Sequence, residues 1–257
     1  MQMVGFRAGH VRFGMPASLG AVKASTLSLQ LGSWLRKLLA PEVKVEMHVA
    51  ESYGALIEDF RSGRVDAAWA PPLVCAEVER EGGRHLVQFE RGGSTRFRAA
   101  FVCRADHLLR LDALQSVSVA WVAKESTSGY LLPRQYLLRT GVELSRALGD
   151  EFFAGSFAAA LEALVSGRVE LTAVFASPAN AALPRTGLDT LPPGLRSELR
   201  IIGYSDEAPN DGIVASAAMP EAIFQLMRAR LTTSHEDPVG RENLKAIFDA
   251  DRLVPWG

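Results

Sequence analysis

Apolar residues follow two different periods in the first fifty residues of the chain. Residues 11–15 form a short, mainly apolar run closed by Pro16, and residues 43–49 alternate apolar with polar positions, which predicts two strands. Between them, apolar residues recur at the spacing of one helical face: Leu27, Leu31, Trp34, Leu35 and Leu38. Pro41 ends this helix, so the pattern predicts a strand, a helix and a second strand in that order.

A helix–turn–strand pattern occurs twice in the sequence. YGALIEDFRSGRVDAAWA begins at Tyr53 and FAAALEALVSGRVELTAV begins at Phe157; each contains SGRV followed by an acidic residue and a short apolar run. Gly63 and Gly167 suit the left-handed conformation that often ends a helix. The alternative is that two ordinary helix–turn–strand units are similar by coincidence. The shared SGRV, acidic residue and apolar run, in the same order, favour two similarly built lobes.

The remaining patterns continue the alternation of strands and helices. Residues 96–104, 198–205 and 212–216 have the composition of strands, with a polar loop between the last two. The last forty residues have helical patterns, and residues 176–197, rich in Pro, Gly and Ala, predict a partly helical connection. This alternation predicts an α/β protein whose mainly parallel sheets carry helices on both faces.

A row of hydroxyl residues follows the apolar run of residues 117–123. The sequence there is ESTSGYLLPR, with Ser126, Thr127, Ser128 and Gly129 before a helical pattern. Such residues cap helices, because their oxygens accept hydrogen bonds from the unpaired first-turn N–H groups. The same helix start can also hold an anion, since its free N–H groups and the helix dipole favour negative charge. Both interpretations remain open from these residues alone.

The composition excludes several classes of function. Of 257 residues, 48% are hydrophobic, which is enough for a packed core, and 28 basic against 29 acidic residues leave no basic surface for a nucleic acid. There is no CxxC, HExxH, phosphate-loop or GxSxG motif, so we expect no cofactor and no bound metal. Cys75 and Cys103 are expected to be buried free thiols. The histidines have no ligand spacing: His10, His48, His85, His107 and His235.

The N-terminal sequence bears on the location of the protein. It lacks the apolar run of an export signal, and no stretch approaches the about 20 apolar residues of a membrane span. As written, the sequence predicts a soluble cytoplasmic protein without membrane insertion. A periplasmic or lipid-anchored location would require that a leader had been removed.

Several of these segments occur together in one order. They are FGMPAS, AESYGALIEDFRSGRVDAAWAPP, AWVAKESTSGYLLPRQYLLRTGV, FAGSFAAALEALVSGRVE and HEDPVGRENLKAIFDADRLVPW. In this order the chain resembles the phosphate, phosphite and phosphonate substrate-binding proteins of ABC transporters, from about Val11 to Trp256. The STSGY turn is fairly specific to them, whereas several families of binding proteins share the SGRV unit.

The resemblance implies a type II periplasmic-binding-protein fold. In that fold two α/β lobes, each a mainly parallel sheet flanked by helices, are joined by two crossing hinge strands, with the ligand between the lobes. We place the crossings near Arg98 and Gly212. Lobe 1 is then residues 1–98 with 213–257, and lobe 2 is residues 99–212.

The resemblance also implies which residues bind the ligand. In the family, the hydroxyls of the STSGY turn and nearby helix N–H groups hold the phosphorus oxyanion, which assigns this role to Ser126, Thr127 and Ser128, with Gly129 beside them. Tyr53 matches a tyrosine that reaches the ligand from the other lobe. The turn would therefore cap its helix and also bind an oxyanion.

Three positions depart from the family pattern. Phe157 stands where many members have a histidine, Phe175 where many have a polar or acidic residue, and Val74 with Cys75 where many have a tyrosine or a serine pair. Each change removes a polar partner of the ligand. The sequence therefore argues against an aminoalkyl phosphonate and favours an acid with an apolar or aromatic tail packed against Phe157 and Phe175.

The leading hypothesis is a monomeric, non-enzymatic protein that captures a small oxyanion for an ABC transporter permease. The alternative is a cytosolic sensor or enzyme on the same fold, acting on a small organic acid with an apolar tail. For an enzyme, only Asp211 and Glu125 are carboxylates that we can place near the ligand, and both suit turns.

Overall fold

The chain folds into two compact units. The computed structural model describes residues 9–16, 21–181 and 184–256, with the side chains of residues 21–23 left aside. Unit 1 comprises Met1–Thr95 with Pro209–Gly257, and unit 2 comprises Arg96–Ala208. The chain therefore passes twice between the units, at the Thr95–Arg96 and Ala208–Pro209 bonds.

Unit 1 contains a six-stranded sheet flanked by helices. Its strands follow the order β11-β4-β10-β3-β1-β2. The strands are β1 (His10–Pro16), β2 (Lys44–Ala50), β3 (Ala67–Ala70), β4 (Arg84–Glu90), β10 (Gly212–Ala215) and β11 (Arg252–Val254). The helices are α1 (Ala21–Leu39), α2 (Tyr53–Arg61), α3 (Pro72–Arg80), α8 (Glu221–Thr233) and α9 (Pro238–Phe248). The first strand, helix and second strand predicted from the apolar pattern are confirmed, and Trp34 lies buried on the inner face of α1.

Unit 2 contains a five-stranded sheet in the order β7-β6-β8-β5-β9. The strands are β5 (Arg96–Arg104), β6 (Val117–Trp121), β7 (Leu148–Phe153), β8 (Leu171–Ala176) and β9 (Leu199–Pro209). The helices are α4 (Leu132–Arg139), α5 (Leu144–Ala147), α6 (Phe157–Val165) and α7 (Pro193–Ser197). Separate apolar clusters cover the two faces of this sheet, one containing Leu161 and Leu164 of α6 and the other Leu137 of α4.

Two features of the sheets differ from the prediction. Both sheets are mixed rather than mainly parallel, because β10 and β11 join the first sheet antiparallel and β5 pairs antiparallel with β8. The predicted polar loop after residue 205 begins later, because β9 continues to Pro209. This strand lies at the sheet edge, where polar side chains are tolerated, and Asp206 pairs there with Arg139.

The repeated helix–turn–strand unit is confirmed in both halves of the chain. Ser52 caps α2 by accepting from the Ala55 N–H at 3.1 Å, and Ser156 caps α6 in the same way from Ala159 at 3.1 Å. After each helix, a glycine of the SGRV sequence has positive φ, 68° at Gly63 and 75° at Gly167. The shared sequence therefore encodes the same beginning and end of a helix twice.

The acidic residue after each SGRV joins its strand to the neighbouring parallel strand. In unit 1, an Asp66 carboxylate oxygen accepts the Arg12 backbone N–H at 2.8 Å and the Arg12 guanidinium at 2.9 Å. The hydrogen bond between the Arg12 guanidinium and the Asp66 carboxylate raises the pKa of Arg12. In unit 2, Glu170 accepts the Ser118 backbone N–H and hydroxyl, both at 3.0 Å. We call these two contacts the acid clasps; each sets two parallel strands side by side at their amino ends.

We expect the two acid clasps to contribute unequally to stability. Asp66 is 4% exposed, so Asp66→Ala leaves a partly buried guanidinium and a backbone N–H unpaired and should lower the free energy of unfolding by about 2–3 kcal/mol. Glu170→Ala removes an acceptor of neutral donors and should cost about 1–2 kcal/mol. Urea unfolding measures both changes. Asp112→Ala, which breaks an exposed ion pair with Arg110, is the control and should change nothing measurable.

Candidate functional site

The serine-rich turn connects the carboxyl end of β6 to helix α4. Residues Thr127–Leu131 form a π-helical turn that continues directly into α4. Ser126 is its cap: its hydroxyl accepts the Gly129 N–H at 3.2 Å, and its carbonyl accepts the Leu131 N–H at 3.0 Å. The predicted capping role is confirmed for this residue.

The hydroxyl groups of the turn are shielded from solvent. Ser126 is 5% exposed and Ser128 is 8% exposed. The Thr127 hydroxyl oxygen is buried without a hydrogen-bond partner in the part of the chain that the structure describes. An unpartnered buried hydroxyl costs free energy, so a group that accepts its hydrogen bond would be stabilised there. The helical turn begins at Thr127, so the first N–H groups of the helix lie in the same short segment. A helix leaves these donors without a partner of its own backbone.

Gly129 allows the turn to pack closely on the strand that precedes it. A Cβ atom at this position would lie 2.5 Å from Val122 Cγ2 and 2.8 Å from the Ser126 hydroxyl oxygen. The Val122 N–H also donates to the Gly129 carbonyl at 3.2 Å. Glycine is therefore required at this position, because any side chain would clash with Val122 and with the Ser126 hydroxyl.

Tyr53 and Phe157 occupy equivalent positions at the first residue of a helix. Tyr53 begins α2 of unit 1, is half-buried and packs against the apolar cluster around Leu56. Phe157 begins α6 of unit 2, and 36% of it is exposed. Both are accessible in part, so each remains a candidate ligand contact of its own unit.

Phe175 lies near the carboxyl end of β8, in the strand next to β6. Its ring stacks on Phe97 of β5, with the centroids 5.8 Å apart and an angle of 30° between the planes. Phe97 is 5% exposed, whereas Phe175 is only partly buried. Phe97 was not among the residues predicted from the sequence, because it is the antiparallel pairing of β5 with β8 that brings it under Phe175.

Cys75 does not occupy the place that the sequence analysis gave it among the ligand contacts. It is completely buried in α3, and its thiol approaches the Ala70 carbonyl oxygen at 3.4 Å. Val74 and Val78 bury the same side of this helix in the core of unit 1. The thiol therefore has no surface to offer a ligand, and the expectation that Cys75 and Cys103 are buried free thiols is confirmed.

The two carboxylates considered for catalysis have different surroundings. Asp211 accepts hydrogen bonds from Trp69 Nε1 at 3.4 Å and from Arg91 at 3.3 Å, so it has structural partners within unit 1. Glu125 is half-buried directly before Ser126. No group of three or more His, Cys, Asp or Glu side chains among residues 9–16, 21–181 and 184–256 could hold a metal ion. Of the helices described, none has the length and apolar character needed to cross a bilayer.

Comparison with known proteins assigns the chain to a class. The fold matches XAC2383 from Xanthomonas citri bound to chloride, with a TM-score of 0.81, 22% identity and coverage of 97% of this chain and 92% of that one. It matches PhnD1 from Prochlorococcus marinus in complex with methylphosphonate, with a TM-score of 0.78, 18% identity and coverage of 97% and 93%. The fold is that of the type II periplasmic binding proteins.

Sequence comparison narrows the class to a family. Residues 13–256 match the model of the ABC transporter, phosphonate, periplasmic substrate-binding proteins. The phosphate-import protein PhnD of Mycolicibacterium smegmatis is 27% identical over 229 residues, which cover 81% of this chain and 69% of that protein. The chain belongs to the phosphonate substrate-binding family of ABC transporters, and the resemblance inferred from its motifs is confirmed.

The packing of Gly129 predicts that the turn does not accept a larger residue. Gly129→Ala forces Val122 or the backbone to move and should cost about 1–3 kcal/mol of stability, together with affinity for any anion held by the turn. Thermal unfolding and titration with phosphate measure the two effects. Gly194→Ala, where a Cβ atom meets nothing within 4 Å, is the matched control and should leave both unchanged. Equal behaviour of the two variants would contradict the close-packing argument.

Burial predicts that neither thiol reacts in the folded protein. Desolvation raises the pKa of Cys75 far above its usual value and raises the pKa of Cys103 as well. At about pH 8 the reactive thiolate is therefore rarer than in an exposed cysteine. Labelling with an aromatic disulfide reagent should modify no thiol in the native protein and both thiols in urea. Rapid labelling of native Cys75 would show that its surroundings are open.

Proposed function

We propose that the turn Ser126–Gly129 binds the oxyanion head of a phosphate or phosphonate. The hydroxyls of Thr127 and Ser128 and the N–H groups at the start of the helix would donate hydrogen bonds to the oxygens. Each oxygen can accept several charge-assisted bonds, and the helix dipole favours the negative charge. The donors carry no charge of their own. They therefore suit a head group that changes between a monoanion and a dianion near neutral pH.

The observation that carries this proposal is the Thr127 hydroxyl. It is buried without a partner at the start of a helix, between two serines that are each less than a tenth exposed. Capping requires only Ser126, which already accepts the Gly129 N–H. Capping therefore leaves the two following hydroxyls unexplained, whereas an oxyanion accounts for both.

Two similar proteins support the same head group. The relative from Mycolicibacterium smegmatis is named a phosphate-import protein, and the similar structure from Prochlorococcus marinus holds methylphosphonate. Phosphate and methylphosphonate share a phosphorus atom with three or more oxygens. Family membership itself makes the chain a substrate-binding component of an ABC transporter.

We further propose the remaining properties of this component. Tyr53 would contact the ligand from the lobe formed by residues 1–98 with 213–257. Phe157 would contact it from the lobe formed by residues 99–212. The protein would act as a monomer outside the cytoplasmic membrane and deliver its ligand to a permease without chemical change. The structural partners of Asp211 and the raised pKa of Cys75 support a role without catalysis.

The proposal predicts opposite effects of one substitution on stability and on binding. Thr127→Val keeps the shape of the side chain but removes the unpartnered hydroxyl, so the ligand-free protein should unfold at the same or a higher temperature. Affinity for phosphate or methylphosphonate should fall by about 1–3 kcal/mol. Ser128→Ala should weaken binding by a similar amount. Calorimetric titration and thermal unfolding without ligand measure these effects.

Matched variants decide whether the turn is only a cap. Thr127→Ser retains the hydroxyl and should retain most of the affinity. Thr190→Val removes a hydroxyl that donates to the Gly187 carbonyl in another turn of unit 2, and it should not change binding. If Thr127→Val and Ser128→Ala bind phosphate and methylphosphonate as well as the unaltered protein does, the oxyanion is not held at this turn.

A further inference from the structure

An aromatic pair lies on the sheet face that carries the serine-rich turn. Along β8, Leu171 and Ala173 belong to the apolar cluster that includes Leu137 of α4, whereas Val174 belongs to the cluster under α6. Because alternate residues of a strand share a face, Phe175 points to the same side as Ala173. The segment Thr127–Leu131 also packs against β8. Phe175 therefore lies beside the turn, at the carboxyl ends of β6 and β8.

The pair presents one partly accessible ring. Phe97 lies two residues before Ala99, which is the register partner of Phe175, so the two phenylalanines meet diagonally across the antiparallel strands. The buried Phe97 supports one side of the Phe175 ring, and part of that ring remains exposed. We call Phe97 and Phe175 the aromatic platform. It is a rigid apolar surface next to hydroxyls that suit an anionic head.

Two carboxylates of unit 2 already have partners. Glu207 accepts the Ala179 N–H at 3.2 Å and pairs with Arg96 at 3.5 Å. Glu151 accepts the Trp121 indole N–H at 2.6 Å and pairs with Arg134. Glu125, beside the turn, has no such partner within the described part of the chain and is the one candidate in this set for holding an ammonium group.

We propose that the aromatic platform contacts the carbon substituent of the bound phosphonate and selects an apolar alkyl or aryl group over an aminoalkyl group. This inference rests on the proposed function, because it takes the phosphorus oxyanion to lie at the Ser126–Gly129 turn. An ammonium group against Phe175 would lose water, and both Glu207 and Glu151 are already engaged with other partners. A methyl or phenyl group in the same place gains by leaving water.

The test compares two ligands of equal size. n-Propylphosphonate and 2-aminoethylphosphonate differ only in a terminal methyl in place of an ammonium group. Titration calorimetry of the whole chain should give n-propylphosphonate at least about tenfold tighter binding, and affinity should rise from methylphosphonate to n-propylphosphonate by about tenfold for the two added CH₂ groups. Phenylphosphonate should bind at least as tightly as methylphosphonate.

Substitutions test whether the aromatic platform causes this preference among the ligands. Phe175→Leu keeps an apolar residue in the sheet and should remove most of the advantage of phenylphosphonate over methylphosphonate, while phosphate affinity changes by less than about twofold. Phe152→Leu alters a ring of β7 that packs with Arg168, and it should change none of the affinities. Glu125→Gln should likewise leave the order of the ligands unchanged. Circular dichroism checks that each variant is folded; if Phe175→Leu is not, the ligand series with the unaltered protein decides.

Each result supports one conclusion or overturns it. Tighter binding of n-propylphosphonate than of 2-aminoethylphosphonate, reduced by Phe175→Leu, supports the aromatic platform. If phosphate and methylphosphonate bind but 2-aminoethylphosphonate binds as tightly as n-propylphosphonate or more tightly, the platform does not select the substituent, and the oxyanion turn stands. Loss of that aminoalkyl binding in Glu125→Gln would assign the ammonium to Glu125. If no phosphorus compound binds, the proposed function fails and this inference fails with it.

Discussion

The acid clasps join two parallel strands at the same place in both sheets. In each unit a carboxylate at the start of one strand accepts the backbone N–H of a residue near the start of its parallel neighbour, Arg12 in unit 1 and Ser118 in unit 2. The clasp joins the amino ends of two parallel strands, and parallel strands have their carboxyl ends at one edge of the sheet. In unit 2 that edge carries both the serine-rich turn after β6 and Phe175 near the end of β8.

Local signals in the sequence were enough to predict the parts of the site that depend on a few consecutive residues. The SGRV repeat predicted two helices with the same ends, and both Gly63 and Gly167 have the expected positive φ. The cap at Ser126 followed from the affinity of hydroxyl oxygens for first-turn N–H groups. These features are formed within one turn of chain, so no distant contact was needed to infer them.

The features that could not be predicted depend on residues far apart in the chain. The alternation of strands and helices gave no sign that β5 runs antiparallel to β8, and this pairing creates the contact between Phe97 and Phe175. Cys75 was misplaced because alignment to a family motif took no account of which side of α3 faces the core. The partners of Asp66 and Glu170 also differ in type, an arginine and a serine, so the repeat did not reveal the clasp.

The two proposals assign the two ends of a ligand to different segments of unit 2. The head group would meet hydroxyls and N–H groups whose positions follow from a capped helix start and the close packing of Gly129 on Val122. The substituent would meet Phe175 of β8, a strand that pairs with β5. Under these proposals a change at position 175 would alter the tail that is accepted, because the groups that hold the head belong to a different segment, Ser126–Gly129. On these proposals, a substitution at the end of a strand such as β8 would change the ligand that is accepted while the oxyanion turn stayed the same.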